Sequence, residues 1–257
     1  TTTHTYTVTD DDSTPTVSFG AASSSASESV TSAALSVSLS AASGQTVTVS
    51  YAVSGGTATG SGTDYTLTAG TLTFNPGVTS QNIPVSVVDD VLDESDETVS
   101  VLLSLPVNAT LGVITSHTYT IIDNDTSTVS FSASSSNGLE SVTPASLSVV
   151  LSNPSVQTVT VNYAVSGGTA TGGGTDYTLA SGTLTFNPGV TSQAIAMTVV
   201  DDLIDEVDET VVVSLSNPVN GSLGTPSVHT YTIIDDDWLP SVAFTLSGSS
   251  GLESVTP

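Results

Sequence analysis

The chain has 257 residues, with 25 Asp and Glu against no Lys or Arg, for a formal net charge of −25. Such a balance excludes nucleic acid and anionic membrane surfaces as partners, and no run approaches the roughly 18 apolar residues of a membrane-spanning helix, so no membrane insertion is expected from this segment. Cysteine is absent, which excludes a disulfide framework, and an apolar share of 37% in strongly periodic order excludes a disordered chain.

In chain order, the first feature is a fragment. Residues 1–12 carry His4-Thr-Tyr6-Thr and end in Asp10, Asp11 and Asp12; HTYT returns at His117 and His229, each time shortly before an acidic cluster. Residues 1–12 therefore read as the last strand of a preceding repeat. Residues 13–125 form repeat 1 and residues 126–237 form repeat 2, about 110 residues each, enough for an independent core. YAVSGGTATG at 51–60 returns at 163–172, and GTLTFNPGVTSQ at 70–81 returns at 182–193. Residues 238–257 read as the first strand of a following repeat, so the sequence looks like a window on a longer array, with any signal peptide outside it.

Within repeat 1 the apolar residues alternate, the mark of half-buried strands. The series runs through Val17 and Phe19, Leu35 to Leu39, Val47 to Val53, Leu72 and Phe74, Ile83 to Val87, Val99 to Leu103, and Tyr119 and Ile121. Turns such as Ser43-Gly44 and Asn75-Pro76-Gly77 separate them, and no stretch has a 3.6-residue period. Seven such strands predict an all-β fold of tandem immunoglobulin-like seven-stranded β-sandwiches. Successive strands run antiparallel, so alternate loops emerge at one end. Glu28, Asp64, the segment 89–97 and the segment 123–125 all fall on loops of the same parity.

All the acids occupy these loops. Repeat 1 has ten and repeat 2 eleven, recurring at a spacing of 112 residues from Glu28 to Glu140 and from Asp64 to Asp176. Charge serving solubility alone would be scattered over the strand faces, which carry Ser and Thr instead. Two carboxylates about 5 Å apart repel by roughly 3 kcal/mol at an effective dielectric near 20. With no cationic side chain present, the counter-charge has to come from outside. Hard oxygen donors in flexible loops suit Ca2+, and the scarcity of His and lack of Cys disfavour zinc and copper. Each repeat has oxygens for several ions, roughly two to four at six to eight ligands each.

The segments GTATGSGTDYT (56–66), GTLTFNPG (70–77), VVDDVLDESDETV (87–99) and TIIDND (120–125), with their copies in repeat 2, resemble the Calx-beta domain. That family is the calcium-binding module of sodium–calcium exchangers, an integrin subunit and large microbial surface proteins. The resemblance implies calcium ligands Glu28, Asp64, Asp89, Asp90, Glu94, Glu97, Asp123 and Asp125 in repeat 1. In repeat 2 it implies Glu140, Asp176, Asp201, Asp202, Glu206, Glu209, Asp235, Asp236 and Asp237. The backbone carbonyls of Leu92 and Ile204 are expected to join them. Asp10, Asp11, Asp12 and Glu253 stand in the same columns of the flanking copies. Asn124 replaces the middle acid of the terminal triad, which predicts fewer or weaker ions in repeat 1. Val91 and Leu203 stand where family members often carry a third Asp, and Asp93, Asp96, Asp205 and Asp208 are left to solvent or to supporting the ligands.

Other features read as structural. The strand-start histidines lie at the end opposite the acids and are read as framework residues. Asn108-Ala-Thr110, Asn124-Asp-Thr126 and Asn220-Gly-Ser222 fit the N-glycosylation pattern. A glycosidase-like carboxylate pair would need aromatic residues to stack a sugar, and aromatics are 5% of the chain. No nucleophile motif accompanies the many serines, so no enzyme is expected. The expected function is a calcium-binding structural repeat segment of an extracellular stalk, adhesin or filament, on the cell surface or secreted. Its expected partners are neighbouring copies of the repeat, together with a surface or glycan target. A regulatory calcium sensor, or the accessory stalk of a secreted enzyme, are the alternatives.

Overall fold

The computed structural model describes residues 1–9, 11–243, 245 and 248 and divides into two units, Thr1–Thr126 and Ser127–Pro257. None of the described residues is helical.

Unit 1 contains ten strands: β1 (Thr16–Phe19), β2 (Ser23–Ser27), β3 (Ser32–Leu39), β4 (Val47–Gly56), β5 (Tyr65–Thr66), β6 (Gly70–Phe74), β7 (Ser80–Val87), β8 (Glu97–Val107), β9 (Thr110–Leu111) and β10 (Ser116–Ile122). They form two sheets, ordered β5-β7-β3-β1-β9 and β2-β10-β8-β4-β6. The seven expected strands are all present, and three short ones join them. The first strand changes sheets near Gly20: β1 pairs antiparallel with β3, Val17 opposite Leu39, whereas β2 pairs parallel with β10, Ser23 opposite Thr118. The sequence SSSAS of β2 has no apolar alternation, so backbone hydrogen bonding at a sheet edge is what makes it a strand.

Each strand turns one side inward, as period-2 alternation dictates. Val17, Phe19, Leu35, Val37, Val47, Val49, Phe74, Ile83, Val85, Val99, Val101 and Leu103 are buried between the sheets. Unit 2 repeats the arrangement in β11 (Thr128–Phe131) to β20 (Val228–Ile234), with Phe131, Phe186, Leu147, Ile195 and Met197 in its own core. The outward faces carry Ser and Thr, as expected.

The expected structural role of the histidines holds in both units. His117 is buried against Phe19, ring centroids 5.4 Å apart, with Nδ1 2.8 Å from the Ala21 carbonyl and Nε2 2.8 Å from Ser24 Oγ. A carbonyl only accepts, so Nδ1 donates. His229 repeats these contacts with Ala133, Ser136 and Phe131. Asn108 and Asn220, both in potential glycosylation sites, have left-handed backbones (φ 57° and 55°) and donate their side-chain amides to the Thr46 and Thr158 carbonyls. Both are turn-forming residues.

Residues 1–9 and 238–243 have no strand.

Candidate metal centre

The sheet registers bring the acidic loops to one end of each unit. Ile122 lies opposite Ser27, and Ile121 opposite Glu97. The residues that follow β2 and β10, and those that precede β8, therefore meet at this pole. Glu28 N–H donates to the Ile122 carbonyl at 3.0 Å, tying the Glu28 turn to the end of β10.

The Asp64 loop reaches the same pole through a bulge. The β4–β8 register slips between Val53 and Gly55, and Gly56 has φ +127°. A Cβ at Gly56 would lie 2.1 Å from the Thr98 carbonyl oxygen, so only glycine fits there. Beyond the bulge, Ala58 N–H donates to the Thr98 carbonyl at 3.0 Å, and Thr98 N–H donates to Thr57 Oγ1 at 2.9 Å. The next turn closes on itself: Asp64 N–H donates to the Thr59 carbonyl, and the Asp64 carboxylate accepts Thr59 N–H. Gly168, Thr169, Thr210, Thr171 and Asp176 reproduce this geometry in unit 2. The GGTAT repeat is thus the device that delivers an aspartate beside the start of the next strand but three.

Among the described residues, unit 1 has two groups of carboxylates with ligand oxygens within 4.8 Å of one another: Glu28 with Asp123 and Asp125, and Asp64 with Glu94 and Glu97. Unit 2 has three: Glu140 with Asp201 and Asp236, Glu140 with Asp202 and Asp237, and Asp176 with Glu206 and Glu209. A space of about 10 Å³ lined by Glu140, Asp176, Glu206, Glu209 and Asp235 joins the groups of unit 2. That is about the size of one small bound species.

Other expected ligands lie outside these groups. Asp90 is close enough for its charge to raise the Glu94 pKa. Leu92 N–H donates to Asp90 Oδ1 and Ile204 N–H to Asp202 Oδ1, both at 2.7 Å, which folds each turn around its aspartate. Asp89 is exposed and belongs to no group. Asp11 and Asp12 are also exposed and join none. Asp10 and Glu253 lie outside the described residues. Among the residues left to solvent or support, Asp96 accepts the Asp123 N–H at 3.2 Å.

Sequence reasoning missed Ser27, Ser29 and Ser141. Ser27 Oγ–H and Ser29 N–H both donate to Asn124 Oδ1, and Ser141 Oγ–H donates to Asp236 Oδ2 at 2.6 Å. The recurring Glu-Ser pair at 28–29, 140–141 and 253–254 was the available signal.

The electrostatics of the pole are those of an uncompensated site. Glu28 and Glu140 are each only 5% exposed, and the Oε1 atom of each has no hydrogen-bond partner. Burial, then the charges of Asp123 and Asp125, raise Glu28 from its ordinary 4.5 to about 7, although the Asn124 backbone N–H partly offsets this. Glu140 also rises to about 7, through burial and the charges of Asp237, Asp235 and Asp202. Glu97 reaches about 7 through burial, a hydrogen bond shared with Asp64, and the charges of Asp64 and Glu94. Asp123, Glu94, Glu206, Glu209 and Asp237 are raised as well, burial being the largest cause in each. Buried acceptor-only oxygens with no donor and no cation fit a hard divalent ion that supplies the missing charge.

The sequence of both repeats matches the family model of the Calx-beta domain, at residues 10–125 and 122–237. The chain belongs to the Calx-beta family. Sodium/calcium exchanger 1 of Canis lupus familiaris is 31% identical over 182 residues, 63% of this chain and 19% of the exchanger. Sodium/calcium exchanger Calx of Drosophila melanogaster is 41% identical over 96 residues, 37% of this chain and 10% of that protein. This Calx-beta tandem thus spans about a fifth or less of the length of these relatives. A solved structure of the calcium binding domain CBD12 of CALX1.1 aligns at a TM-score of 0.42 with 27% identity, covering 82% of each chain. The apo-form Calx CBD1 domain aligns at 0.41 with 32% identity, covering 44% of this chain and all of that one.

Proposed function

We propose that each unit binds several calcium ions at its acidic pole. We propose further that the chain is a structural repeat segment of an extracellular stalk, adhesin or filament, cell-surface or secreted, rather than an enzyme. The observation that carries the calcium reading is the pair Glu28 and Glu140: carboxylates nine-tenths buried among other carboxylates, each with an unpartnered oxygen, in a chain without Lys or Arg. Bound calcium supplies the positive charge that lets these acids ionise together. The chain's own residues then do the structural work. Glu28 holds the β2–β3 turn to the end of β10, and Asp64 holds the bulge loop to Glu94 and Glu97. Four loops become one rigid end.

The stalk reading is supported by repetition of the same site, by uncharged Ser/Thr faces and by the absence of any nucleophile or sugar-stacking constellation. Its partners in this reading are neighbouring copies of the repeat, with a surface or glycan target beyond them. The exchanger relatives favour a second reading, a calcium-sensing regulatory module. Calorimetric titration tests the first step, and small-angle scattering separates the two roles. At a hundredfold excess over its dissociation constant, each ion adds about 2.7 kcal/mol by mass action. A stalk gains stability and stiffness and then stays unchanged over physiological extracellular calcium, whereas a sensor changes shape within a narrow calcium range. Absence of heat and of any melting shift on calcium addition would reject both.

A further inference from the structure

We propose that Asn124 is a neutral latch that removes one cation position from unit 1 and replaces it with hydrogen bonds, so that the two units answer calcium unequally. This rests on the calcium reading above and concerns which residues set the number of ions.

In unit 2, Glu140, Asp201 and Asp236 converge on one point. Asp236 gives one oxygen, Oδ2, to Ser141 Oγ–H at 2.6 Å, and its carboxylate has a second oxygen to offer. Position by position, the counterparts in unit 1 are Glu28, Asp89 and Asn124, so an amide stands where unit 2 has its third carboxylate. Ser29 N–H stands 3.2 Å from Asn124 Oδ1, and a backbone N–H can only donate, so the amide oxygen is what faces the turn. Ser27 Oγ–H donates to the same oxygen and also lies 2.8 Å from Ser29 Oγ. Two donors use both lone pairs of that oxygen, and an amide has no other oxygen. A cation at this point finds no ligand in Asn124.

The partner residue changes with it. Ser27, which supplies the second donor in unit 1, is Leu139 in unit 2. The chain therefore carries two matched solutions at one place: Ser27 with Asn124, which close the turn without a cation, and Leu139 with Asp236, which leave a carboxylate oxygen for one. The buried and unpartnered Glu140 Oε1 is the independent sign that a positive charge is awaited at this pole; Glu28 Oε1 is equally unpartnered in unit 1, where its group with Asp123 and Asp125 remains, so the latch removes one position and not the whole site.

Two pair exchanges in the full chain test this. Ser27→Leu with Asn124→Asp rebuilds the unit 2 arrangement in unit 1; Leu139→Ser with Asp236→Asn does the reverse. The first should gain one calcium per chain by calorimetry, and its calcium-free unit 1 should melt several degrees lower because a carboxylate has joined Glu28. The second should lose one calcium, and its calcium-free unit 2 should melt higher. This second exchange removes charge, so repulsion cannot prevent its folding. Hydrogen exchange of the wild type should show calcium protecting residues 140–143 more than residues 28–31. Unchanged stoichiometry in both exchanges, with binding otherwise intact, overturns the latch alone. A wild-type chain that takes up no calcium overturns the calcium reading and the latch together.

Discussion

Removing calcium should invert the usual pH dependence of a protein's stability. Glu28 rises from 4.5 to about 7 on folding. Between those values the folded state holds a proton that the unfolded chain has released. Stability from this group is therefore complete below pH 4.5 and lost as pH climbs through 7. The difference is about 2.5 units at 1.36 kcal/mol each, or roughly 3 kcal/mol in unit 1, and Glu140 adds a similar amount in unit 2. For a unit of this size, that corresponds to a fall on the order of 10 °C in melting temperature between pH 5 and pH 8. Scanning calorimetry of the decalcified chain across that range measures it. With saturating calcium the sign reverses, because the ion binds the ionised form and stabilises it more as pH rises. Glu28→Gln supplies an internal control: it should flatten the calcium-free profile of unit 1 and raise its melting point at pH 8. A calcium-free melting temperature that is level or climbing from pH 5 to pH 8 would contradict the assignment of uncompensated buried carboxylates.

Three further outcomes are expected. Gly56→Ala should cost unit 1 roughly 3 kcal/mol in urea unfolding, because the new Cβ meets the Thr98 carbonyl; an effect below about 1 kcal/mol would show that the bulge yields. Asp64→Asn should weaken calcium binding on the order of tenfold, about 1.4 kcal/mol, whereas Asp208→Asn, outside every carboxylate group, should stay within about twofold by calorimetry. His117→Ala should lower the melting temperature of unit 1 through the cavity beside Phe19 and the lost hydrogen bonds, yet leave its calcium stoichiometry intact. A lost ion in that variant would mean the two ends of the sandwich are coupled.

The alternation of apolar residues made the seven main strands legible, because burial on one face imposes a period of two wherever a core exists. β2 escaped for the same reason: Ser23 to Ser27 bury almost nothing, and only parallel pairing with β10 makes them a strand. β5 and β9, at two residues each, are too short to carry any period. Convergence of the acidic loops was legible as well, since strand parity alone assigns loops to ends. The grouping within the pole was not. Asp89 and Asp201 occupy the same column, yet only Asp201 joins a group. That difference comes from the third residue, an amide at Asn124 in one unit and a carboxylate at Asp236 in the other, and the hydrogen bonds each makes leave no periodic trace.

A repeat can keep its fold while altering its ion count because the two are set by separate parts of the chain. The sandwich is specified by inward residues such as Phe74 and Phe186, whose surroundings are nearly identical in the two units. The pole is specified by loops that contribute almost no apolar burial. Exchanging Asp for Asn there alters charge and ligand number and leaves the core untouched, at the cost of one hydrogen-bond partner in the adjacent turn. Ser27 supplies that partner in unit 1. Its replacement by Leu139 in unit 2 is the change expected if the turn must either hold itself together or be held by an ion. In a chain without Lys or Arg, the buried glutamate itself is balanced by a proton or by a bound ion, whichever arrangement the turn takes.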